Sequence, residues 1–502
     1  MALPFTRLTL AFKGDTVLGN VLERVASHNG DRHLVLEADG GLDLSYAQAA
    51  KRVRRWAGGV AAAAKPGERV VIATPNGYEM LLLCLAASRA GAIPVPVNSQ
   101  LTKSEVEHVV KNSEATLVVR SATEVDGHEP LATEVAVDPG DVAALFYTSG
   151  TTGKPKGVEL SHRSLVGSLA RAGAVPPMLT GRYEAVIALP VAHIMGFAAL
   201  LGLACAGIPV YLLPRFNPVR VLDAIESRRA QMFIGVPAMY RMLLEAGAED
   251  RDLTSIRVWG SGADAMPPDL ASRFKKLGAT DTLPIVGPIG EAAFFEGYGM
   301  VELGGGAAAK FSPPFLDVGL GSDAVGFALP GYSFQVVDPD TGDRLPAGKT
   351  GELLIRGPGV TSGYWGDEGA TAATITDDGW LRTGDLARLG PFGTVLFEGR
   401  AKDVLKVGGY SVYALEVERA IEEHPDVLEA AVVGLPDDRR GQVPAAAVRL
   451  ADGASLDPDA MRTFVAERLA DYKVPTRWVA VEELPRTGTD KVKKADLVEL
   501  FD

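Results

Sequence analysis

Along most of this chain, short β-branched runs alternate with longer stretches of helical periodicity. Residues 69 to 73 (RVVIA) form one such run, residues 77 to 90 an apolar helix closed by Gly91, and residues 92 to 97 a second strand. That succession is a βαβ unit, which lays the two strands parallel and covers them with the helix. The pattern returns at 115 to 120, at 231 to 236 with a helix from 237 to about 246, and at 255 to 259 with a helix opening at Pro267-Pro268. Between about 320 and 398 the period changes. Short strands at 351 to 356 and 394 to 397, separated by Gly, Pro and Asp turns, predict a small antiparallel barrel or sheet. After Gly399-Arg400 the chain restarts with a helix over 414 to 423, strands over 428 to 434 and 444 to 450, and a helix over 458 to 470. The expected fold is α/β: a large N-terminal domain of α/β subdomains plus a small antiparallel β-barrel, residues 1 to 399, and a small α+β C-terminal domain, residues 404 to 502.

One apolar stretch invites a membrane reading. From 185 to 214 the only Asp, Glu, Lys, Arg or His is His193, but Pro190, Pro209 and Pro214 interrupt the stretch. A buried helix over 195 to 206 followed by a strand over 208 to 213 is the better expectation. No transmembrane segment is expected, and peripheral contact with a membrane stays open.

Composition narrows the picture further. With 502 residues, 47% of them hydrophobic, the chain can bury more than one core. A net charge of -13 argues against broad nucleic-acid binding, which needs a basic face to displace counterions. Cys84 and Cys205 each sit inside an apolar run, which makes them core residues of a reducing compartment. Residues 1 to 14 show no export signal, so a cytoplasmic location is expected.

The densest chemistry lies in Tyr147-Thr148-Ser149-Gly150-Thr151-Thr152-Gly153-Lys154-Pro155-Lys156-Gly157. Glycines let successive N–H groups turn toward one anion, hydroxyls add donors and lysines add charge, which together suit a polyphosphate. The spacing is not G-x-x-x-x-G-K-[ST], and a Thr/Gly/Lys surface turn is the plain alternative. A second glycine motif, Gly260-Ser261-Gly262-Ala263-Asp264-Ala265, fits G-x-G-x-x-A between a strand and a helix. Residues 281 to 290 (DTLPIVGPIG), however, do not read as the strand that would carry the ribose-binding acid of a dinucleotide site.

Further segments follow in order: Tyr298-Gly299-Met300-Val301-Glu302, Gly384-Asp385, Gly399-Arg400-Ala401-Lys402-Asp403, and Pro485-Arg486-Thr487-Gly488-Thr489-Asp490-Lys491. Together with the loop at 147 to 157 they resemble the adenylate-forming superfamily, and within it fatty acyl-CoA synthetases and other acyl-CoA ligases. The resemblance covers essentially the whole chain. It implies ATP, Mg²⁺ and CoA, with Thr148, Ser149, Gly150, Thr151, Thr152, Gly153 and Lys156 around the phosphates. Gly262, Ala263, Tyr298, Gly299 and Val301 would lie at the adenine and adenylate, Asp385 and Arg400 at the ribose, and Glu302 on the metal, a hard-oxygen ligand for a hard cation. Lys491 would be the catalytic lysine. Lys402 would be the pivot of a hinge at 400 to 403 about which the small domain moves, and Lys406, Gly408 and Gly409 would line a tunnel for the CoA thiol. His193 matches an aromatic position between the acyl and thiol sites. An acyl pocket is expected from Met195, Phe197, Tyr240, Trp259, Met300 and Gly304, all equally readable as core.

The chemistry so implied is a carboxylate attacking the α-phosphate of ATP, then thioester formation on CoA with release of AMP and pyrophosphate. No carboxylate stands near Ala192-His193-Ile194-Met195-Gly196-Phe197 to bind an amino group, which favours a non-amino acid, a fatty acid foremost. Three features depart from the family pattern: Val301 in place of a threonine, Asp490 in place of a glycine, and an insertion over 280 to 294. Three other readings stand beside the ligase: an acyl-AMP ligase serving a carrier protein, a weakly active nucleotide-binding pseudoenzyme, and, remotely, an NAD-dependent dehydrogenase.

Overall fold

A computed structural model describes residues 15–98, 100–148, 155–170, 183–283, 285–314, 324–408, 410–486 and 492–501. Two compact units emerge, one of residues 1–333 with 355–381, the other of residues 334–354 with 382–502. The second unit takes in part of the barrel-like stretch together with the C-terminal residues.

The first unit is built on βαβ logic. Strands Ile93–Pro96, Arg69–Ile72 and Leu117–Val119 form one parallel sheet. A larger sheet runs Val210–Leu212, Ala185–Ile187, Met232–Gly235, Val258–Gly262 and Ala293–Met300, all parallel, and continues antiparallel through Gly305–Ser312 and Ala324–Ala328. Its side chains alternate between two cores. Val186, Phe233, Trp259 and Phe294 enter one core, whereas Ala185, Ile187 and Ile234 face the other. A sheet covered on both faces suits continuous apolar runs, which is what the sequence offers at these positions. A third, small sheet joins Val142–Thr148, Lys156–Ser161 and Gly363–Tyr364.

The apolar stretch at 185 to 214 resolves as expected into a short strand, the buried helix Ile194–Ala206 and the strand Val210–Leu212. Gly207 ends the helix in the left-handed region at φ 76°. No helix among the described residues is long and apolar enough to cross a membrane. Cys84 and Cys205 are buried and free, and burial pushes both thiols up, Cys205 to about 12.

Residues 281 to 290 do not supply the parallel strand of a dinucleotide site: Asp281–Leu283 and Gly287–Ile289 pair as an antiparallel hairpin in a two-stranded sheet of their own, carrying exposed Ile285 and Val286 between them. One strand boundary needs correction. The strand expected at 255 to 259 lies at Val258–Gly262, because its register is fixed by Met232–Gly235 on one side and Ala293–Met300 on the other.

In the second unit, Ser333–Val337, Gly351–Arg356, Leu381–Leu389 and Val395–Arg400 lie side by side. Its other sheet orders Tyr410–Tyr413, Val404–Val407, Gly441–Leu450 and Val427–Asp437, with Arg477–Ala480 parallel to Gly441–Leu450. Helices Ala414–Glu422 and Pro458–Ala466 pack on this sheet through Val417, Ile421, Met461 and Val465. The second helix stops short of the expected residue 470.

Candidate active site

Thr148 and Lys156 face each other across an antiparallel pair, which brings together the two ends of the phosphate-loop candidate. Ser149, Gly150, Thr151, Thr152 and Gly153 lie outside the described residues. The Tyr147 ring lies against Gly157, where a Cβ would stand 3.0 Å from Cζ, and its hydroxyl donates to Asn112 Oδ1 at 2.6 Å. Burial pushes the Tyr147 phenol up to about 12, so it stays a donor.

The ammonium of Lys156 pairs with Asp367 at 2.9 Å and stands 5.7 Å over the Tyr364 ring. Asp367 is fixed from its other side, since it caps the helix Glu368–Thr374 by accepting the Ala370 N–H. That cap and Lys156 hold its carboxyl below the usual carboxylate range. The Tyr364 hydroxyl donates to Glu302 Oε1 at 3.0 Å, and the Thr361 N–H donates to the Glu302 carbonyl at 2.8 Å. Burial, then the Glu302 charge, push the Tyr364 phenol well up, which keeps its proton in place. The Trp365 N–H donates to the Gly157 carbonyl at 2.8 Å. Residues 361–367 therefore grip both the far end of the phosphate loop and the turn that carries Glu302.

That turn, Val301–Leu303, follows the strand bearing Tyr298. Two glycines are obligatory here. A Cβ on Gly299 would lie 1.7 Å from the Gly305 carbonyl oxygen, and Gly304, at φ 61°, would put one 2.5 Å from the Ser164 carbonyl oxygen. Tyr298, Met300, Val301 and Glu302 are half-buried, and Val301 packs on the first core with Met195 and Tyr364. Gly262 ends its strand, and Ala263 turns the chain at φ 68°, a backbone strain of the kind that gathers at ligand sites.

Across from these glycines stands the helix Ile194–Ala206. A Cβ on Gly262 would touch Met195 Cε at 3.5 Å, and one on Gly305 would touch Ala198 Cβ at 3.5 Å, so bare backbone faces an apolar helix across a narrow seam. Register places Gly262, Gly297, Ala309 and Phe327 in one cross-strand row and Phe295 and Phe311 in the next on the same face, with all three phenylalanines exposed. Phe197, Tyr240 and Trp259 do not line this seam. All three are wholly buried, Phe197 edge-on to Phe146 and the other two in the opposite core, and the Tyr240 hydroxyl donates to the Gly260 carbonyl at 2.7 Å. As acyl-pocket candidates they give way to core packing.

His193 caps the helix, its Nδ1 accepting the Met195 N–H at 3.3 Å, which leaves the proton of a neutral ring on Nε2. The turn before it is clamped by Asn76, whose Oδ1 accepts the Val191 N–H at 2.7 Å while Nδ2 donates to the Pro214 carbonyl at 2.8 Å.

The second unit holds the remaining candidates. Asp385 is buried and pairs with Arg400 Nε at 2.8 Å, the two being cross-strand partners. Lys402 is exposed in the short turn Ala401–Asp403. Lys406 Nζ donates to Ser411 Oγ at 2.9 Å, and Gly408, at φ 57°, gives its N–H to the Arg440 carbonyl. Gly409, Asp490 and Lys491 lie outside the described residues. On either side of residues 487 to 491, Arg486 and Val492 form an antiparallel bridge, and Arg486 grips both oxygens of Glu429 at 2.9 and 2.6 Å.

Tyr364 and Asp367 were not among the residues expected from sequence, although Gly363-Tyr364-Trp365 ahead of an Asp cap is a visible strand-and-turn signal. Among the described residues no group of three or more His, Cys, Asp or Glu converges to hold a metal. A single carboxylate, Glu302, suits a cation whose other ligands are nucleotide phosphates and water.

Known proteins resemble this chain over most of its length. The family described as AMP-binding enzyme matches residues 22–135 and 120–365, and the AMP-binding enzyme C-terminal domain matches residues 416–491. Feruloyl-CoA synthase of Amycolatopsis sp is 33% identical over 93% of this chain and 96% of its own length. Long-chain-fatty-acid–CoA ligase of Bacillus subtilis is 31% identical over 81% of this chain and 71% of its own. ATP-bound MatB from Rhodopseudomonas palustris superposes with a TM-score of 0.85 at 30% identity, covering 96% of this chain and 99% of that one.

Proposed function

The chain belongs to the AMP-binding enzyme family and is an acid–thiol ligase that uses ATP and CoA, and from that premise we propose that its acid is apolar and flat, an aromatic-ring acid in the first place. The observation that carries this reading is the seam between Met195 and Ala198 on one side and the bare backbone of Gly262 and Gly305 on the other. A ring can enter where no Cβ projects, and Met195, unbranched, can swing aside for it. The feruloyl-CoA synthase likeness supports the same class. A fatty acid is the second reading, favoured by Phe295, Phe311 and Phe327, which prolong the apolar face beyond the glycines.

The chemistry joins two anions, so the residues act by neutralising charge and aligning the reactants. Lys491 bridges the acid carboxylate and the α-phosphate. Lys156 leaves Asp367 for the departing pyrophosphate, and Asp385 with Arg400 holds the ribose. Glu302 would hold a magnesium ion, which would supply further neutralisation at the phosphates. Lys402 serves as the pivot between the two half-reactions, and His193 stands beside the reacting carboxyl. CoA, rather than a carrier protein, takes the acyl group.

A panel of aromatic and straight-chain acids, assayed for pyrophosphate release with and without CoA, tests the reading. At least one ring acid should exceed every straight-chain acid in kcat/KM by about tenfold, equal to about 1.4 kcal/mol. A straight-chain acid at the top of the ranking would overturn the ring assignment in favour of the fatty acid.

A further inference from the structure

The Glu302 side chain has a neighbour that neither the sequence motifs nor the family likeness assigns. Tyr364 lies 62 residues further along, on a strand of two residues whose register against Lys156–Ser161 is fixed by Tyr364 opposite Val158 and Gly363 opposite Glu159. Its hydroxyl donates to Glu302 Oε1 at 3.0 Å, and its ring lies under the Lys156 ammonium. The backbone around it is tied down independently. Thr361 donates its N–H to the Glu302 carbonyl and its hydroxyl to the Glu159 and Gly363 carbonyls, while Trp365 donates its N–H to the Gly157 carbonyl. A carboxylate on a three-residue turn would otherwise rotate about its own side-chain bonds, and each rotamer would offer the cation a different oxygen at a different place.

We propose that Tyr364 is a positioning residue of the adenylation step: by occupying Oε1 of Glu302 it fixes the carboxylate plane and leaves Oε2 to meet the magnesium ion that enters with ATP. The inference rests on the reading that Glu302 is the metal ligand. Tyr364 itself touches neither nucleotide nor metal. Its contribution is to spare the enzyme the cost of ordering a ligand at the moment of binding.

The test is the magnesium dependence of nucleotide binding, followed with a fluorescent ATP analogue over a range of Mg²⁺ concentrations, for the unaltered chain, Tyr364→Phe and Glu302→Gln. Tyr364→Phe retains the ring over Lys156 and removes only the hydroxyl. It should leave the Kd for the magnesium-free nucleotide within about twofold and weaken the magnesium-dependent tightening by about ten- to a hundredfold, the range expected for one hydrogen bond to a charged group. Adenylation should fall at low Mg²⁺ and recover at high Mg²⁺, a shift a purely structural residue would not give. Equal weakening of magnesium-free and magnesium-loaded nucleotide would overturn the inference, as would an unchanged magnesium response. Glu302→Gln separates the two ways of failing. If it abolishes the magnesium response while Tyr364→Phe does not alter it, the positioning role alone falls. If Glu302→Gln leaves the response intact, the metal-ligand reading falls first.

Discussion

Lys156 with Asp367 in the first unit, and Arg486 with Glu429 in the second, are ion pairs of similar length in opposite settings. The first, at 2.9 Å, leaves its side chains 43% and 40% exposed; the second, at 2.6 Å, leaves them 19% and 5% exposed. Water screens an exposed pair until little net stabilisation is left, so Asp367 can park Lys156 without holding it against a polyphosphate. A buried carboxylate that loses its partner costs about 3 to 5 kcal/mol, so Glu429 keeps Arg486 where it is. On the proposed function the two settings match two kinds of work: a side chain that would change partners during turnover is held loosely, and one next to the proposed lysine segment is held dry. Asp385 with Arg400 is intermediate, with a dry acid, 3% exposed, and a base 37% exposed that can still reach a ribose.

The largest effect expected from this contrast is on stability. Arg486→Met takes from buried Glu429 its closest ion-pair partner, leaving Arg449 at 4.0 Å, and should cost the second unit about 3 kcal/mol in denaturant unfolding. A loss below about 1 kcal/mol would show the pair to be as dispensable as a surface bridge. Lys156→Met should do the converse. The unfolding midpoint should scarcely move, while adenylation should fall by about a hundredfold, the usual cost of one lost donor to developing charge. Unfolding of the variant at ordinary temperature would reverse the assignment.

A third joint sharpens the comparison through pH. His162 is buried and accepts the Leu18 N–H on Nδ1, and burial holds its pKa down at about 4, against 6.5 for a free ring. The unfolded chain therefore binds the proton first. Stability contributed by the neutral ring is complete above pH 6.5 and is lost as pH falls toward 4, by about 2 kcal/mol at pH 5. His162→Gln should flatten that slope in pH-dependent unfolding; an unchanged slope would place the acid sensitivity elsewhere. The smallest effect concerns Val301, which packs on the first core. Val301→Thr should raise KM for the acid a few-fold without raising kcat, because its hydroxyl enters an apolar wall. A several-fold rise in kcat for pyrophosphate release would instead mark a missing donor at the adenylate.

Much of this architecture could be read from the chain because it rests on local periodicity. The βαβ run at 69 to 97 and the buried helix at 194 to 206 announce themselves through apolar period and a closing glycine, Gly91 or Gly207. The hairpin at 281 to 289 escaped because its short strands hold a glycine and a proline, Gly287 and Pro288, residues that usually mark loops. Helices such as Tyr46–Ala63 and Lys103–Asn112 were also missed, although each opens on a capping box. At the site, Lys156 was legible as a charge set among glycines and Glu302 through the family resemblance of its segment, whereas Tyr364 and Asp367 were not. Their role depends on the pairing of Gly363–Tyr364 with Lys156–Ser161, a long-range register that no local pattern encodes. Phe197, Tyr240 and Trp259 show the reverse limit, since an apolar side chain beside a pocket and one inside a core look alike in sequence.

The central claim, that this chain activates an apolar acid as an adenylate before it meets CoA, is tested most directly by ATP–pyrophosphate exchange in the absence of CoA. With the best acid of the panel, exchange should require that acid and should disappear in Lys491→Ala, while thioester formation from supplied acyl-adenylate and CoA persists. Exchange that runs without any acid, or that appears only when CoA is added, would contradict the account.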